Sequence, residues 1–154
     1  DDIVTALLFL DDIDEANGCL TVVPGSHKGP ILSLFDGERF TAAVAYDEEK
    51  QALAKSLPCI GKAGSVCLMH TKLLHGSAAN GSDASRGLYI CVYTAADAVP
   101  IARNPMPSLN EGRIVRGKEA RFARLTEGMV ELPKQPKSAS FFTVQGQASK
   151  QAAE

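Results

Sequence analysis

The chain has 154 residues, of which 45% are hydrophobic and 22% charged, and its formal net charge at pH 7 is −2. These values are typical of one folded domain with an ordinary core. The sequence has no basic block, which argues against nucleic-acid binding. Its longest apolar run, Ile3–Leu10, is too short to cross a bilayer.

The first elements alternate between apolar runs and turn signals. Ile3–Leu10 is almost continuously apolar, which predicts a strand covered on both faces. Asp11–Gly18 is acidic and ends in Asn-Gly, a pair that favours a hairpin turn. Cys19–Val23 is then the predicted return strand, ended by Pro24 and Gly25.

Further along the chain, one helix and two more strands are predicted. Asp47–Leu57 can form a short helix, with Asp47 as its N-cap and Pro58 ending it. Ser65–His70 and Gly87–Thr94 are apolar enough for strands. Strands at this spacing, with one or two minor helices, predict a mainly β sandwich or barrel.

The C-terminal part carries weaker signals. From Pro100 onward, prolines and glycines interrupt the pattern, and residues 134–154 are mostly polar. We therefore predict one domain over residues 1–133 and a loosely ordered tail over 134–154.

The four cysteines do not have the spacing of a zinc site. They are Cys19, Cys59, Cys67 and Cys91, and no two of them form a C-x-x-C pair. We therefore expect that the cysteines are reduced thiols and that the protein is cytoplasmic.

The side chains best suited to binding a metal or a carboxylate lie in the segment His70–Ile90. It holds two of the three histidines, followed by Arg86. Side chains alternate along a strand, so Arg86 shares a face with Leu88, Ile90 and Val92. If that face lines the core, the guanidinium points inward and needs a carboxylate partner, from the protein or from a ligand. His75 could face the same cavity, which would suggest a metal held by the protein and an organic acid together.

Structural roles compete with these functional ones. His70 lies at the end of a predicted strand, where a structural role is expected. His27 follows Pro-Gly-Ser and is expected to be a turn residue that hydrogen-bonds to the backbone. Taken singly, His75 and Arg86 also have structural explanations. A non-haem iron site needs two histidines and a carboxylate, and the sequence has no H-x-D or H-x-E.

Two distinctive blocks of the sequence are ALLFLDDIDEANGCLTVVPGSHKG and HTKLLHGSAANGSDASRGLYI, both within residues 6–93. Together they resemble the phytanoyl-CoA dioxygenase family of Fe(II)- and 2-oxoglutarate-dependent oxygenases. The resemblance implies a double-stranded β-helix, which is a jelly-roll, cupin-like barrel. It also implies a bound Fe(II), 2-oxoglutarate as cosubstrate, O2, and a small-molecule substrate that is hydroxylated while 2-oxoglutarate becomes succinate.

The resemblance carries over to three residues. His75 resembles the distal iron-binding histidine, Arg86 the arginine that holds the far carboxylate of 2-oxoglutarate, and Ser77 a hydroxyl that assists it. It implies no further catalytic residue in this chain. The H-x-D pair of the family would lie upstream of Asp1 and is absent, so the barrel is expected to be incomplete at its N-terminal side.

Three expectations follow from this interpretation. His75 and Arg86 should lie on adjacent antiparallel strands and both point into the barrel. The 154 residues alone should be inactive, and Ile3–Leu10 should be an exposed edge through which the chain can self-associate. The alternative function is a non-catalytic or differently metallated β-barrel module that binds a small carboxylate.

Overall fold

The computed structural model describes residues 2–104, 107–125, 131–132 and 143–147. Within them the strands are β1 (Ile3–Phe9), β2 (Leu20–Val22), β3 (Phe35–Asp36), β4 (Arg39–Phe40), β5 (Leu57–Cys59), β6 (Val66–His70), β7 (His75–Ser77) and β8 (Leu88–Thr94). Helix α1 is Tyr46–Leu53, a 3-10 turn covers Ser26–Lys28, and residues 143–147 are helical.

The chain divides into two compact units. Unit 1 comprises Asp1–Ile31 and Lys50–Ala95, and unit 2 comprises Leu32–Glu49 and Ala96–Glu154. The predicted boundary between residues 133 and 134 stays a prediction, and most of the predicted tail lies outside the described residues.

The first sheet of unit 1 has the order β6-β1-β8, and both pairings are antiparallel. Along β1, Thr5, Leu7 and Phe9 are buried and alternate with more exposed neighbours. Directly opposite residues of antiparallel strands share a face. The inner face of this sheet is therefore the face of Leu7 and Phe9.

The second sheet has the order β5-β2-β7, again with antiparallel pairs. Leu20 and Val22 of β2 pack against a buried cluster that includes Leu7, Phe9 and Cys19. The two sheets thus face each other across a common apolar core. This arrangement of two facing antiparallel sheets is the one predicted for a double-stranded β-helix.

The predicted hairpin at Asp11–Gly18 is wrong, because β1 and β2 belong to different sheets. Asn17, only 2% exposed, organises this loop instead. Its Oδ1 accepts the Asp14 backbone N–H at 3.0 Å, and its Nδ2 donates to the Asp12 carbonyl at 2.8 Å. Asn-Gly here ends a loop that carries the chain from one sheet to the other.

The predicted helix exists but ends at Leu53 rather than Leu57. Beyond Leu53 the chain continues as a tight turn, because the N–H groups of Lys55 and Ser56 donate to the carbonyls three residues earlier, those of Ala52 and Leu53, at 3.0 and 3.2 Å. Pro58 then lies in β5, a strand that was not predicted. β5 is at the edge of its sheet, where a proline is tolerated.

The expectation that Ile3–Leu10 forms an exposed edge is also wrong. β1 is the central strand, paired with β6 on one side and β8 on the other. Among the described residues of unit 1, the strands with a partner on one side only are β6 and β8 in this sheet, and β5 and β7 in the other.

Unit 2 contains the small hairpin of β3 and β4, in which the Phe35 and Phe40 rings meet edge to face at 5.1 Å. Arg124 donates twice to Asp97 Oδ2, at 3.1 and 2.8 Å. Among the described residues of the whole chain, no helix is long and apolar enough to span a membrane.

Candidate functional site

His75 begins β7 and lies directly opposite Val22 of β2. Because Val22 packs on the core cluster, His75 is on the inner face of its sheet, although its side chain is exposed. Its Nδ1 lies 2.7 Å from the Leu73 carbonyl oxygen. A carbonyl oxygen only accepts, so Nδ1 carries the proton and Nε2 keeps its lone pair for another partner.

Ser77 ends the same strand and lies opposite Leu20, which also packs on the core. Side chains two residues apart on a strand share a face. The Ser77 hydroxyl and the His75 imidazole therefore project from the same inner face.

Arg86 lies two residues before β8, and its side chain is half-buried. The chain is fixed at this point, because the Gly87 N–H donates to Asp11 Oδ2 at 2.6 Å and its carbonyl accepts the Leu10 N–H at 3.0 Å. Leu88 is opposite the buried Phe9, and continuing the alternation of β8 two residues upstream predicts that Arg86 faces the inner side of the first sheet.

Electrostatics agrees with an inward guanidinium. Burial raises the pKa of the Cys19 thiol above its ordinary value, Glu15 adds to that rise, and the Arg86 charge opposes it. The guanidinium therefore acts on a buried core residue. Within the described residues, it has no hydrogen-bond or ion-pair partner.

The expected relation between His75 and Arg86 is partly wrong. The two residues belong to consecutive strand regions, but β7 and β8 lie in different sheets and do not pair. The predicted strand adjacency is therefore wrong, because β7 and β8 lie in different sheets. The predicted inward direction of both side chains stays a prediction.

The other two histidines have structural surroundings. His70 ends β6, and its Nδ1 accepts the Lys72 backbone N–H at 3.0 Å. The His27 ring, in the 3-10 turn, lies 5.4 Å from the His70 ring. His27 is indeed a turn residue, but its buried Nδ1 has no hydrogen-bond partner in the described part of the chain.

Residues 1–88 match the family model described as Phytanoyl-CoA dioxygenase (PhyH). The chain belongs to the phytanoyl-CoA dioxygenase family. This confirms the resemblance drawn from the two sequence blocks.

Curated relatives extend the match beyond residue 88. A probable alpha-ketoglutarate-dependent hypophosphite dioxygenase of Stutzerimonas stutzeri is 35% identical over 137 residues, which are 86% of this chain and 46% of that protein. The peroxisomal phytanoyl-CoA dioxygenase of Rattus norvegicus is 31% identical over 103 residues, 62% of this chain and 29% of that protein. The chain thus spans less than half the length of these relatives.

Solved structures agree on the fold. EctD from S. alaskensis with bound Fe is 25% identical, with a TM-score of 0.50 over 66% of this chain and 36% of EctD. The fold class predicted from the sequence, a mainly β double-stranded β-helix, is confirmed.

The residues of this phytanoyl-CoA dioxygenase family member fit part of an iron and 2-oxoglutarate site. The free Nε2 of His75 fits a metal ligand, because such histidines commonly donate their other ring N–H to a backbone carbonyl. The half-buried Arg86 guanidinium fits a ligand carboxylate. No three His, Cys, Asp or Glu side chains of the described residues are grouped to hold a metal.

Three thiols of this family member lie near the core. Cys59 is opposite Leu20 and Cys67 is opposite Leu7, so both are on inner faces, beside the buried Cys19. Burial raises the pKa of Cys59 to about 11, and the neighbouring Cys67 and Cys19 thiols add to the rise. The four cysteines are free, as expected from their spacing.

Sequence reasoning gave no role to the peptide group between Leu73 and Leu74. Its carbonyl accepts from His75, and its N–H donates to Ser26 Oγ at 2.8 Å. Ser26 belongs to the VPGSHK block that supported the family resemblance. The block marked Ser26 as a residue of interest. A sequence motif does not indicate that Ser26 contacts the distant Leu74 N–H.

Proposed function

We propose that this chain carries the distal part of the active site of an Fe(II)- and 2-oxoglutarate-dependent oxygenase. In this proposal His75 is one iron ligand, and Arg86 and Ser77 hold the far carboxylate of 2-oxoglutarate. The bound iron, with O2, would supply the oxidation of a C–H bond of a small substrate, coupled to decarboxylation of 2-oxoglutarate to succinate.

The observation that carries the proposal is the orientation of His75. Its Nδ1 proton is engaged by the Leu73 carbonyl, which leaves Nε2 as the available lone pair on the inner face of the sheet. A hydrogen bond of this kind fixes the ring and raises its basicity as a ligand. The membership of the chain in the family supports reading that lone pair as an iron ligand.

Arg86 has the properties that the cosubstrate role requires. Guanidinium matches a carboxylate in geometry and stays charged, so it binds one end of a dicarboxylate firmly. The backbone around Gly87 is held by two hydrogen bonds, which limits the motion of Arg86. Ser77, on the opposing sheet, offers a hydroxyl that can donate to the same carboxylate.

The rest of the metal site would come from outside these residues. We propose that an H-x-D pair encoded N-terminal to Asp1 supplies the other histidine and the carboxylate. Relatives of this family are more than twice as long as the part matched here, which leaves room for such a segment. The four free thiols support a cytoplasmic location for the protein.

A second candidate function has an observation in its favour. The half-buried Arg86 guanidinium has no hydrogen-bond or ion-pair partner among the described residues, so it is suited to binding a small carboxylate without catalysis. The two functions differ in whether the bound carboxylate and O2 are consumed in an iron-dependent reaction.

One experiment separates the two functions. The 154-residue chain, and a version extended by its upstream coding sequence, receive Fe(II), 2-oxoglutarate and ascorbate under air, and succinate is measured. We expect succinate from the extended version alone, and its loss in His75→Ala. If neither version forms succinate while 2-oxoglutarate still binds through Arg86, the binding module is the correct function. If the 154 residues alone form it, the proposal of a ligand pair upstream is wrong.

A further inference from the structure

Ser26 is placed by a turn whose geometry follows from its sequence. Val23-Pro24-Gly25-Ser26 closes with a hydrogen bond from the Ser26 N–H to the Val23 carbonyl at 3.2 Å. Gly25 has φ 83° and ψ −12°, the values of the third residue of a type II turn, where glycine is favoured and proline precedes it. The turn directs the chain back from the end of β2 toward the segment before β7.

The turn holds the residue before His75 at two points. The Val23 N–H donates to the Leu74 carbonyl at 2.9 Å, and Ser26 Oγ accepts the Leu74 N–H at 2.8 Å. The second contact reaches the peptide group whose other end is the Leu73 carbonyl. A peptide group is planar, so fixing its N–H also fixes the direction of its carbonyl.

That carbonyl is the acceptor for His75 Nδ1 at 2.7 Å. The hydrogen bonds at the two ends of one peptide also polarise each other, so the Ser26 contact strengthens the acceptor that faces the imidazole. Tilting the peptide would weaken the Nδ1–H bond and release the proton to Nε2. A protonated Nε2 has no lone pair for a metal.

We propose that Ser26 is a positioning residue for His75, acting through the Leu73–Leu74 peptide to keep the imidazole proton on Nδ1 and Nε2 available. The inference rests on the proposed function for its meaning, since a free Nε2 matters if His75 binds metal. The contacts themselves are independent of that function. Ser26 does not touch the metal, and its effect is on the tautomer and orientation of His75.

The test is the tautomer of His75 in the metal-free 154-residue chain, measured from imidazole ¹⁵N shifts at a pH where the ring is neutral. The signals of His75 are those missing from the spectrum of His75→Gln. In the unaltered chain we expect the Nδ1–H form to dominate. In Ser26→Ala we expect the ratio of Nδ1–H to Nε2–H to fall roughly 2- to 10-fold, the range of one net hydrogen bond. Ser26→Thr keeps the acceptor and should restore the ratio.

Ser56→Ala is the matched control, because it also removes a hydroxyl hydrogen bond, from Ser56 Oγ to the Leu53 carbonyl at 2.9 Å. It should leave the His75 ratio unchanged. An unchanged ratio in Ser26→Ala, or an equal change in the control, overturns the inference. If Ser26→Ala does not fold, Ser26→Cys, which keeps the size but is a weak acceptor, takes its place.

The tautomer reports on positioning and the succinate assay on oxygenase function. A shifted tautomer without succinate formation would leave Ser26 as a positioning residue in a protein whose proposed function is wrong. Succinate formation with an unshifted tautomer would support the proposed function and show that Ser26 is not a positioning residue.

Discussion

Phe9 and Leu88 lie directly opposite each other on β1 and β8, and Arg86 precedes this pair by two residues. Phe9 is 4% exposed and belongs to the core cluster, so the face it shares with Leu88 is the inner one. A shift of one residue in this register would turn Arg86 away from the core. The cosubstrate role proposed for Arg86 therefore depends on an apolar contact two residues away.

Replacing Arg86 should weaken 2-oxoglutarate binding to the iron-loaded enzyme. Arg86→Ala removes a charge-assisted pair worth ~2–5 kcal/mol when desolvated, which is a rise in Kd of roughly 30- to 5,000-fold. Arg86→Lys should recover only part of the affinity, since lysine lacks the planar fork. Calorimetric titration measures the effect, with the exposed Arg116→Ala as control. Unchanged affinity in Arg86→Ala would remove the arginine from the site.

Replacing Gly18 should destabilise the fold through a close backbone approach. Gly18 has φ 74°, and a Cβ there would lie 2.6 Å from the Ala78 carbonyl oxygen, in the loop that follows β7. We expect Gly18→Ala to lower the free energy of unfolding by about 2–4 kcal/mol, because backbone strain and a clash add together.

Gly64→Ala separates the two causes. Gly64 has a similar φ of 86°, but no atom lies within 4 Å of its would-be Cβ. That variant should cost about 1–2 kcal/mol, from the left-handed conformation alone. Urea unfolding of both variants gives the comparison, and equal losses would show that the approach to Ala78 relaxes freely.

Replacing Asn17 should also cost stability, because its side chain ties together the loop that joins the two sheets. Asn17→Ala removes the side-chain partner of the Asp14 N–H and of the Asp12 carbonyl, whose hydrogen bonds to Asn17 are partly buried, a loss of about 1–3 kcal/mol. Asn80→Ala removes hydrogen bonds from an exposed loop and should change stability by less than about 0.5 kcal/mol. Similar unfolding midpoints for both variants would contradict the prediction.

Alkaline pH should reduce stability through Cys59. Its folded-state pKa is raised to about 11 from 9.0, so the folded chain keeps a proton that the unfolded chain loses in this interval. The contribution is fully present below pH 9.0 and is lost as pH rises toward 11. We expect Cys59→Val to lose less stability than the unaltered chain between these two values.

The same thiol should resist alkylation. The rate of iodoacetamide modification at Cys59 should reach its midpoint near pH 11, well above that of free cysteine, and mass spectrometry resolves the site. A midpoint equal to that of free cysteine would show that the thiol is not held in its buried surroundings.

Strands that lie in apolar runs were predictable from the sequence, and strands without such a run were not. Ile3–Phe9 and Leu88–Thr94 have continuous apolar character, and both were predicted within one residue of their ends. β7 consists of His75, Gly76 and Ser77, which carry no hydrophobic alternation. It exists because β2 offers a partner strand, and that tertiary contact has no local signature.

Strand pairing was also beyond local reasoning. An Asn-Gly pair near Gly18 predicted a hairpin, yet the buried amide of Asn17 uses its hydrogen bonds to hold a loop between sheets. His75 and Arg86 were selected as candidates because their chemistry is unusual for their surroundings, and their roles stay predictions. The placement of His75 and Arg86 on opposing sheets follows from the pairings of β2 and β1, which join segments distant in sequence.

The central position of β1 has a consequence for how the protein is made. Its first partner to be synthesised, β6, lies roughly 60 residues later in the chain, so at a synthesis rate of about 5–20 residues per second β1 leaves the ribosome some 3–12 s before β6 does. During this interval the apolar IVTALLF segment has neither β6 nor β8 beside it and is prone to intermolecular pairing. The closing of these long loops should dominate the folding rate, because non-local pairing requires the entropy loss before any contact forms. The strand at the centre of the finished sheet is thus an apolar segment of the nascent chain to which a chaperone can bind.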